Sequence, residues 1–295
     1  MNAWLQFFRL PNLPTAPGDA LAGAAVALLV TGGGDVRRAC AAGAAAFSLY
    51  LFGLADNDLV GAAEDARATP DRPIPRGAIS PRAAKAARAT CLSLALGAGA
   101  LFGLPPAWWL VAAAIAAAIG LYNRAKGVWL MGLCRGLSVL GGAAAAWTGA
   151  FAWRPAFALG ALAFGWTLYV AAVTRLSEGE ERACAGLGRR RFAWGLAAWA
   201  PLAAGAFVPD PRALVVPFIG CLWTFATWCA AVAPLGAAHG PDARRAAVGR
   251  AVGALLYLQV GFMLVQPSRA FWTAALLLWL AARLIRRHAP SIRGS

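Results

Sequence analysis

The sequence predicts an all-helical bundle that crosses a membrane nine or ten times. Three observations predict it. Only 39 of its 295 residues are Asp, Glu, Lys or Arg, 13% where a soluble domain carries about 25%. Hydrophobic residues make up 60%, and mean hydropathy is +0.62. The apolar runs are long, rich in Ala, Leu and Gly, and lack two-residue alternation. Helices and closed barrels are the only structures that cross lipid, and this pattern selects helices.

The elements follow in order. Apolar runs read at 17–31, 38–55, 82–103, 106–122, 129–151, 155–175, 191–208, 212–236, 246–265 and 269–285. Each approaches the roughly 20 residues that a hydrocarbon core of about 30 Å requires. A nine-span version makes one of the last two segments re-entrant. No polar stretch is long enough for a separate domain, so 1–295 reads as one transmembrane domain. The first twenty residues lack the basic-then-apolar layout of a cleavable leader, and the first span is expected to be retained. Abundant Gly and Ala suit close helix packing in lipid. Trp108, Trp153 and Trp194 lie near span ends, where an interfacial belt is expected.

Charge sets the orientation. With the N-terminus inside and ten spans, 20 of the 27 basic residues fall on inside segments and five outside. That asymmetry places the N-terminus in the cytoplasm and the chain in the inner membrane. The net charge of +15 is then topology and attraction to acidic lipid, not a nucleic-acid surface. The six cysteines form no Cys-x-x-Cys and read as small hydrophobes in helices. His239 and His288 are isolated, which argues against a catalytic histidine pair.

The acids carry more information. Eight of the 12 lie in two stretches, Asp56 to Asp71 after the second span and Glu178 to Glu181 after the sixth. Even-numbered spans end on one face, so the two acidic loops meet at the cytoplasmic surface. Asp58 and Asp65 are seven apart and share a face if helical, as do Asn57 and Glu64. Hard oxygen ligands of this kind suit Mg²⁺, which uses one or two carboxylates plus substrate phosphates. The alternative reading is a solvated loop, against which stands the scarcity of acids elsewhere and their cost near lipid. Arg72-Pro73-Ile74-Pro75-Arg76-Gly77 is stiffened by two prolines and holds guanidinium groups toward an anion; positive-inside anchoring explains part of it. Tyr122 and Lys126 stand one helical turn apart at the end of the fourth span. Arg135 is a charge inside the fifth span, either functional or a structural ion pair.

At these residues the sequence resembles the UbiA superfamily of intramembrane prenyltransferases. That family carries an Asp-rich motif, Asn-Asp-x-x-Asp-x-x-x-Asp, after its second span, then Arg-Pro-(Ile/Leu)-Pro-x-Gly. Asn57, Asp58, Asp65 and the whole 72–77 segment match, as do Tyr122 and Lys126 to a Tyr-x-x-x-Lys. Gly61 replaces the middle Asp, and the second motif is reduced to Glu178-Gly179-Glu180. The stretches at 131–136 and 174–180 are similar to the bacterial EboC-type branch.

The resemblance implies a UbiA-like bundle and Mg²⁺-dependent transfer of a prenyl group from a prenyl diphosphate to a small acceptor within the membrane, aromatic compounds among the candidates. It implies one Mg²⁺ on Asn57, Asp58 and Asp65 and a second on Glu178, Glu180 and Glu181. Arg67, Arg72 and Lys126 would take the diphosphate, with Tyr122, Asn123 and Arg135 beside the substrates. A non-catalytic carrier or export component that kept the fold is the alternative. An ion-coupled transporter ranks last, because it predicts acids at the midplane.

Overall fold

The computed structural model describes residues 2–149, 152–178, 190–208, 210–236 and 241–288. Every described element is helical: α1 (Ala3–Phe7), a 3₁₀ turn (Leu10–Thr15), α2 (Ala16–Val30), α3 (Val36–Val60), α4 (Ala62–Ala68), α5 (Pro81–Leu101), α6 (Pro106–Ala125) and α7 (Val128–Ala146). Then come α8 (Trp153–Ser177), α9 (Arg190–Gly195) running into a 3₁₀ stretch (Leu196–Phe207), α10 (Arg212–Val232), a 3₁₀ turn (Ala233–Gly236), α11 (Pro241–Met263) and α12 (Arg269–His288).

Among the described residues, seven helical segments are long and apolar enough to cross a membrane: 10–30, α3, α6, α7, α8, 212–235 and 243–263. This is fewer than the nine or ten expected. The run at 191–208 is not one α-helix, because Pro201 interrupts it and the backbone tightens to 3₁₀. The runs in α5 and α12 are helical, but basic residues lower their hydropathy.

Local signals explain the ends. Asp35 caps α3 by accepting from the Arg37 and Arg38 amides. Ser80 caps α5 by accepting from Ala83 N, with Pro81 at the first helical position. The α3 helix runs five residues past the apolar run and ends only at Gly61. Its 25 residues span about 37 Å, more than a hydrocarbon core, so its last turn carries Asp56, Asn57 and Asp58 out to the rim. These residues belong to a helix end, not to a loop, and α4 starts after the break at Gly61.

The bundle is built around α2, which packs against α3, α7, α8 and α11. Glycine permits the closest of these approaches. A Cβ on Gly142 would lie 1.7 Å from Ala20 O, and one on Gly23 would lie 2.0 Å from Val139 O. The α12 helix closes the ring by packing on α11 and on the N-terminal 3₁₀ turn. Trp153 is exposed and Trp194 half-buried, but Trp108 is buried at 3% exposure, with Gly99 making room for its ring. That tryptophan fills the core between helices and does not serve an interfacial belt.

Candidate functional site

The end of α3 gathers charge. Asp58, almost buried, accepts from Arg9 Nη2 at 3.2 Å and from Asn57 Nδ2 at 3.3 Å. Arg72 Nη1 donates to Asp65 Oδ2 at 2.7 Å and lies 3.9 Å from Asp58 Oδ1. The carboxylates of Asp58 and Asp65 therefore converge on one guanidinium nitrogen, although Gly61 breaks the helix between them. Asp56 accepts from Arg88 at 2.8 Å and from the buried Asn123 at 2.7 Å. Lys126 Nζ donates to Asn57 Oδ1 at 2.5 Å and lies over the Tyr122 ring.

Local folding positions these groups. Pro73 and Ile74 are buried, and Ile74 and Ile79 pack with Phe7, Ala55 and Ala84. The Pro-rich segment is thereby pinned under α3 and holds Arg72 upright. Arg9 and Lys126 are the two described non-glycine residues with positive φ, 47° and 52°. Left-handed backbone costs such residues of order 1–3 kcal/mol. Here that strain is located at two cations of one cluster. Burial is the leading cause that holds the Lys126 ammonium below the usual lysine pKa, with the Arg9 charge next; Glu64 and Asp65 oppose it.

Beneath the cluster lies a cavity of about 90 Å³. Arg9, Asn57, Tyr122 and Asn123 form its polar rim; Leu49, Ile115, Ile119 and Met131 are among its apolar walls, and Tyr50, Arg135 and Ser138 also line it. Of the residues singled out in the sequence, Asn57, Tyr122, Asn123 and Arg135 line this cavity, while Asp58, Asp65, Arg72 and Lys126 join it through Arg9, Asn57 and one another. Arg67 is exposed on α4, outside that cluster. Glu178, at the end of α8, pairs with Arg175 at 2.5 Å, and Arg244 clamps the carbonyls of Leu176 and Glu178. Glu180 and Glu181 lie outside the described residues.

Arg135 reveals what the sequence left unread. Its partner is Asp19 in α2, fully buried. Asp19 Oδ1 accepts from Arg135 Nη2 (3.3 Å), Trp166 Nε1 (2.8 Å) and Gln259 Nε2 (2.6 Å). Oδ2 lies 2.6 Å from Arg135 Nε, an ion contact outside hydrogen-bond geometry. Arg135 and Gln259 also donate to Thr15 O. One carboxylate thus ties α2, α7, α8 and α11 together and fixes the guanidinium that lines the cavity. The available signal was a lone acid inside the first apolar run.

Asp58 and Asp65 offer carboxylate oxygens around a place where a cation, Arg72, already sits, and the neighbouring Asn57 oxygen is taken by Lys126. That donor set fits one Mg²⁺ completed by substrate phosphates. Among the described residues no group of three or more His, Cys, Asp and Glu side chains is disposed to hold a metal by itself.

Residues 20–244 match the family described as the UbiA prenyltransferase family. The fold is similar to the apo structure of a UbiA homolog from Aeropyrum pernix K1, at 20% identity and a TM-score of 0.66, covering 86% of this chain and 98% of that one. It is also similar to a digeranylgeranylglyceryl phosphate synthase, at 17% identity and a TM-score of 0.55, covering 88% and 96%. No curated protein sequence matches it.

Proposed function

This chain belongs to the UbiA prenyltransferase family, and on that premise we propose that it transfers a prenyl group from a prenyl diphosphate to an acceptor within the membrane. The observation that carries the proposal is the mostly apolar cavity lined by Arg9, Asn57, Tyr122 and Asn123, next to a cluster in which Arg9 and Arg72 meet the carboxylates of Asp58 and Asp65. A diphosphate ester of an isoprenoid has the complementary halves.

Asn57, Asp58 and Asp65 are the residues that would hold Mg²⁺, which when bound neutralises charge on the diphosphate. Arg72, Arg9 and Lys126 contribute charge-assisted hydrogen bonds to the diphosphate oxygens, with Arg67 at the outer edge. Tyr122 and Asn123 orient the bridging region. The allylic C–O bond breaks, and its electron pair leaves with the diphosphate. The Tyr122 and Tyr50 rings stabilise the allylic cation by their π-faces. The acceptor's nucleophilic atom forms the new bond to carbon, and its proton passes to the departed diphosphate. A cavity of this size holds the reacting end, and the tail lies between helices toward lipid. Glu178 is turned to Arg175, so no step is assigned to a second ion on Glu178, Glu180 and Glu181.

The basic asymmetry supports an inner-membrane setting with the N-terminus and both acidic stretches cytoplasmic. With α5, α9 plus its 3₁₀ extension, and α12 counted beside the seven apolar segments, the proposed topology has nine or ten crossings. A second reading is a carrier that kept the fold. Gly61 in place of an acid and the arginine-paired Asp58 and Asp65 favour it. Purified protein in lipid, given labelled prenyl diphosphate, Mg²⁺ and a lipid extract, tests both. Label in an acceptor supports transfer. Binding without transfer supports the carrier, and no binding overturns both.

A further inference from the structure

Between α11 and α12 lies a second cavity, a groove of about 460 Å³, remote in sequence from the residues of the prenyl site. Leu256 and Tyr257 of α11 form one wall; Trp279, Arg283 and Arg287 of α12 form the other. The Arg283 guanidinium lies 4.9 Å from the centre of the Trp279 ring. Stacking uses the face of the guanidinium and leaves its in-plane N–H fork for an oxyanion. Arg287 follows one turn later and brings a second fork to the same groove. No Asp or Glu occurs in the sequence after Asp242, and none lines the groove. Two adjacent cations without a carboxylate call for an external anion. The flank of α12 says which kind. Leu276, Leu277, Leu280 and Leu284 are exposed, which in this membrane protein is a lipid-facing surface. An anion reaching Arg283 and Arg287 from that side carries an apolar chain with it.

We propose that this groove binds the headgroup phosphate of an acidic phospholipid, held by Arg283 and Arg287, with its acyl chain along Leu256 and Tyr257. The site would anchor the last helix, which closes the ring against the N-terminal 3₁₀ turn. The proposal goes beyond prenyl transfer and stands or falls independently of it.

Native mass spectrometry of the full chain, released from nanodiscs of equimolar phosphatidylglycerol and phosphatidylcholine, tests it. Wild type is expected to keep phosphatidylglycerol preferentially. A basic residue near an acidic lipid surface is worth about fivefold in affinity. The double variant Arg283→Gln, Arg287→Gln should therefore lose about 25-fold in retained acidic lipid. A control double variant, Arg37→Gln with Arg82→Gln, removes equal charge elsewhere and should retain it. If the Gln pair does not fold, Trp279→Leu serves, expected to lower retention about threefold by releasing the stacked Arg283. Equal retention of the two lipids by wild type, or equal losses in the groove and control variants, overturns the proposal. Displacement of the lipid by about 10 mM inorganic phosphate also overturns it, because the site would then serve a soluble anion.

Discussion

Replacing Asp19 by Asn should cost this protein a large part of its stability. The substitution removes the charge and keeps the shape. Arg135 then keeps its charge in a helical interior with neutral acceptors only, Thr15 O among them, and the Tyr50 ring 5.8 Å away. Breaking a buried pair from one side costs about 3–5 kcal/mol, because the surviving charge is uncompensated. The Trp166 N–H and the Gln259 amide also lose a charged acceptor, at up to about 1–3 kcal/mol for each donor left unmet. These terms overlap, so about 4 kcal/mol is the expected loss, of the same order as a whole domain's margin of about 5–15 kcal/mol. For a chain of this size that is a fall in Tm of roughly 10 °C. The double variant Asp19→Leu, Arg135→Met leaves no charge behind and should recover about half of the fall, since apolar pairs replace buried ion pairs at little cost. Thermal melts in detergent, followed by circular dichroism, measure all three proteins. A melt of Asp19→Asn within about 2 °C of wild type, or a double variant no more stable than Asp19→Asn, would overturn this assignment.

The other predictions follow from the same contacts. Gly142→Ala places a Cβ 1.7 Å from Ala20 O and should lower stability by about 3 kcal/mol or more by separating α2 from α7, seen as a lower melt with unchanged helix content below the transition. Lys126 loses its proton below the usual lysine pKa, because burial and Arg9 disfavour the charge. Anion binding that depends on it is full at low pH and falls as pH rises through that lowered value; Lys126→Arg should abolish this alkaline limb in a binding titration against pH. Arg72→Gln removes a charge-assisted contact to diphosphate and should weaken its binding about 10- to 100-fold, measured with a non-reactive prenyl diphosphate analogue.

What the sequence disclosed and what it hid divide along contact range. The apolar runs report burial in lipid residue by residue, and so the helices were readable from local composition. Asn57, Asp58, Asp65, Arg72, Tyr122 and Lys126 stood out because charged and aromatic residues at short, fixed spacings are rare in such a chain. Their meeting needs only α3, the Pro-rich segment and the end of α6. Arg9 escaped notice, since it reaches Asp58 from the N-terminus through a left-handed backbone turn. The Asp19 network was equally hidden: its members stand at 19, 135, 166 and 259, and only the packing of four helices joins them. Trp108 was misread as interfacial because a tryptophan near a helix start looks alike whether it faces headgroups or fits over Gly99. The 3₁₀ backbone of Leu196–Phe207 follows from Pro201 and neighbouring packing, which hydropathy does not register.

The end of α3 and the Pro-rich segment are proposed to form a diphosphate site that works with Mg²⁺. Equilibrium binding of a labelled, non-reactive prenyl diphosphate analogue to the purified protein in lipid tests it most directly, with and without Mg²⁺, for wild type and for Asp58→Asn with Asp65→Asn. Binding to wild type should be saturable and rise at least tenfold with Mg²⁺, about 1.4 kcal/mol, with no Mg²⁺ response in the double variant. The same Mg²⁺ response in both proteins, or no saturable binding to either, would contradict it.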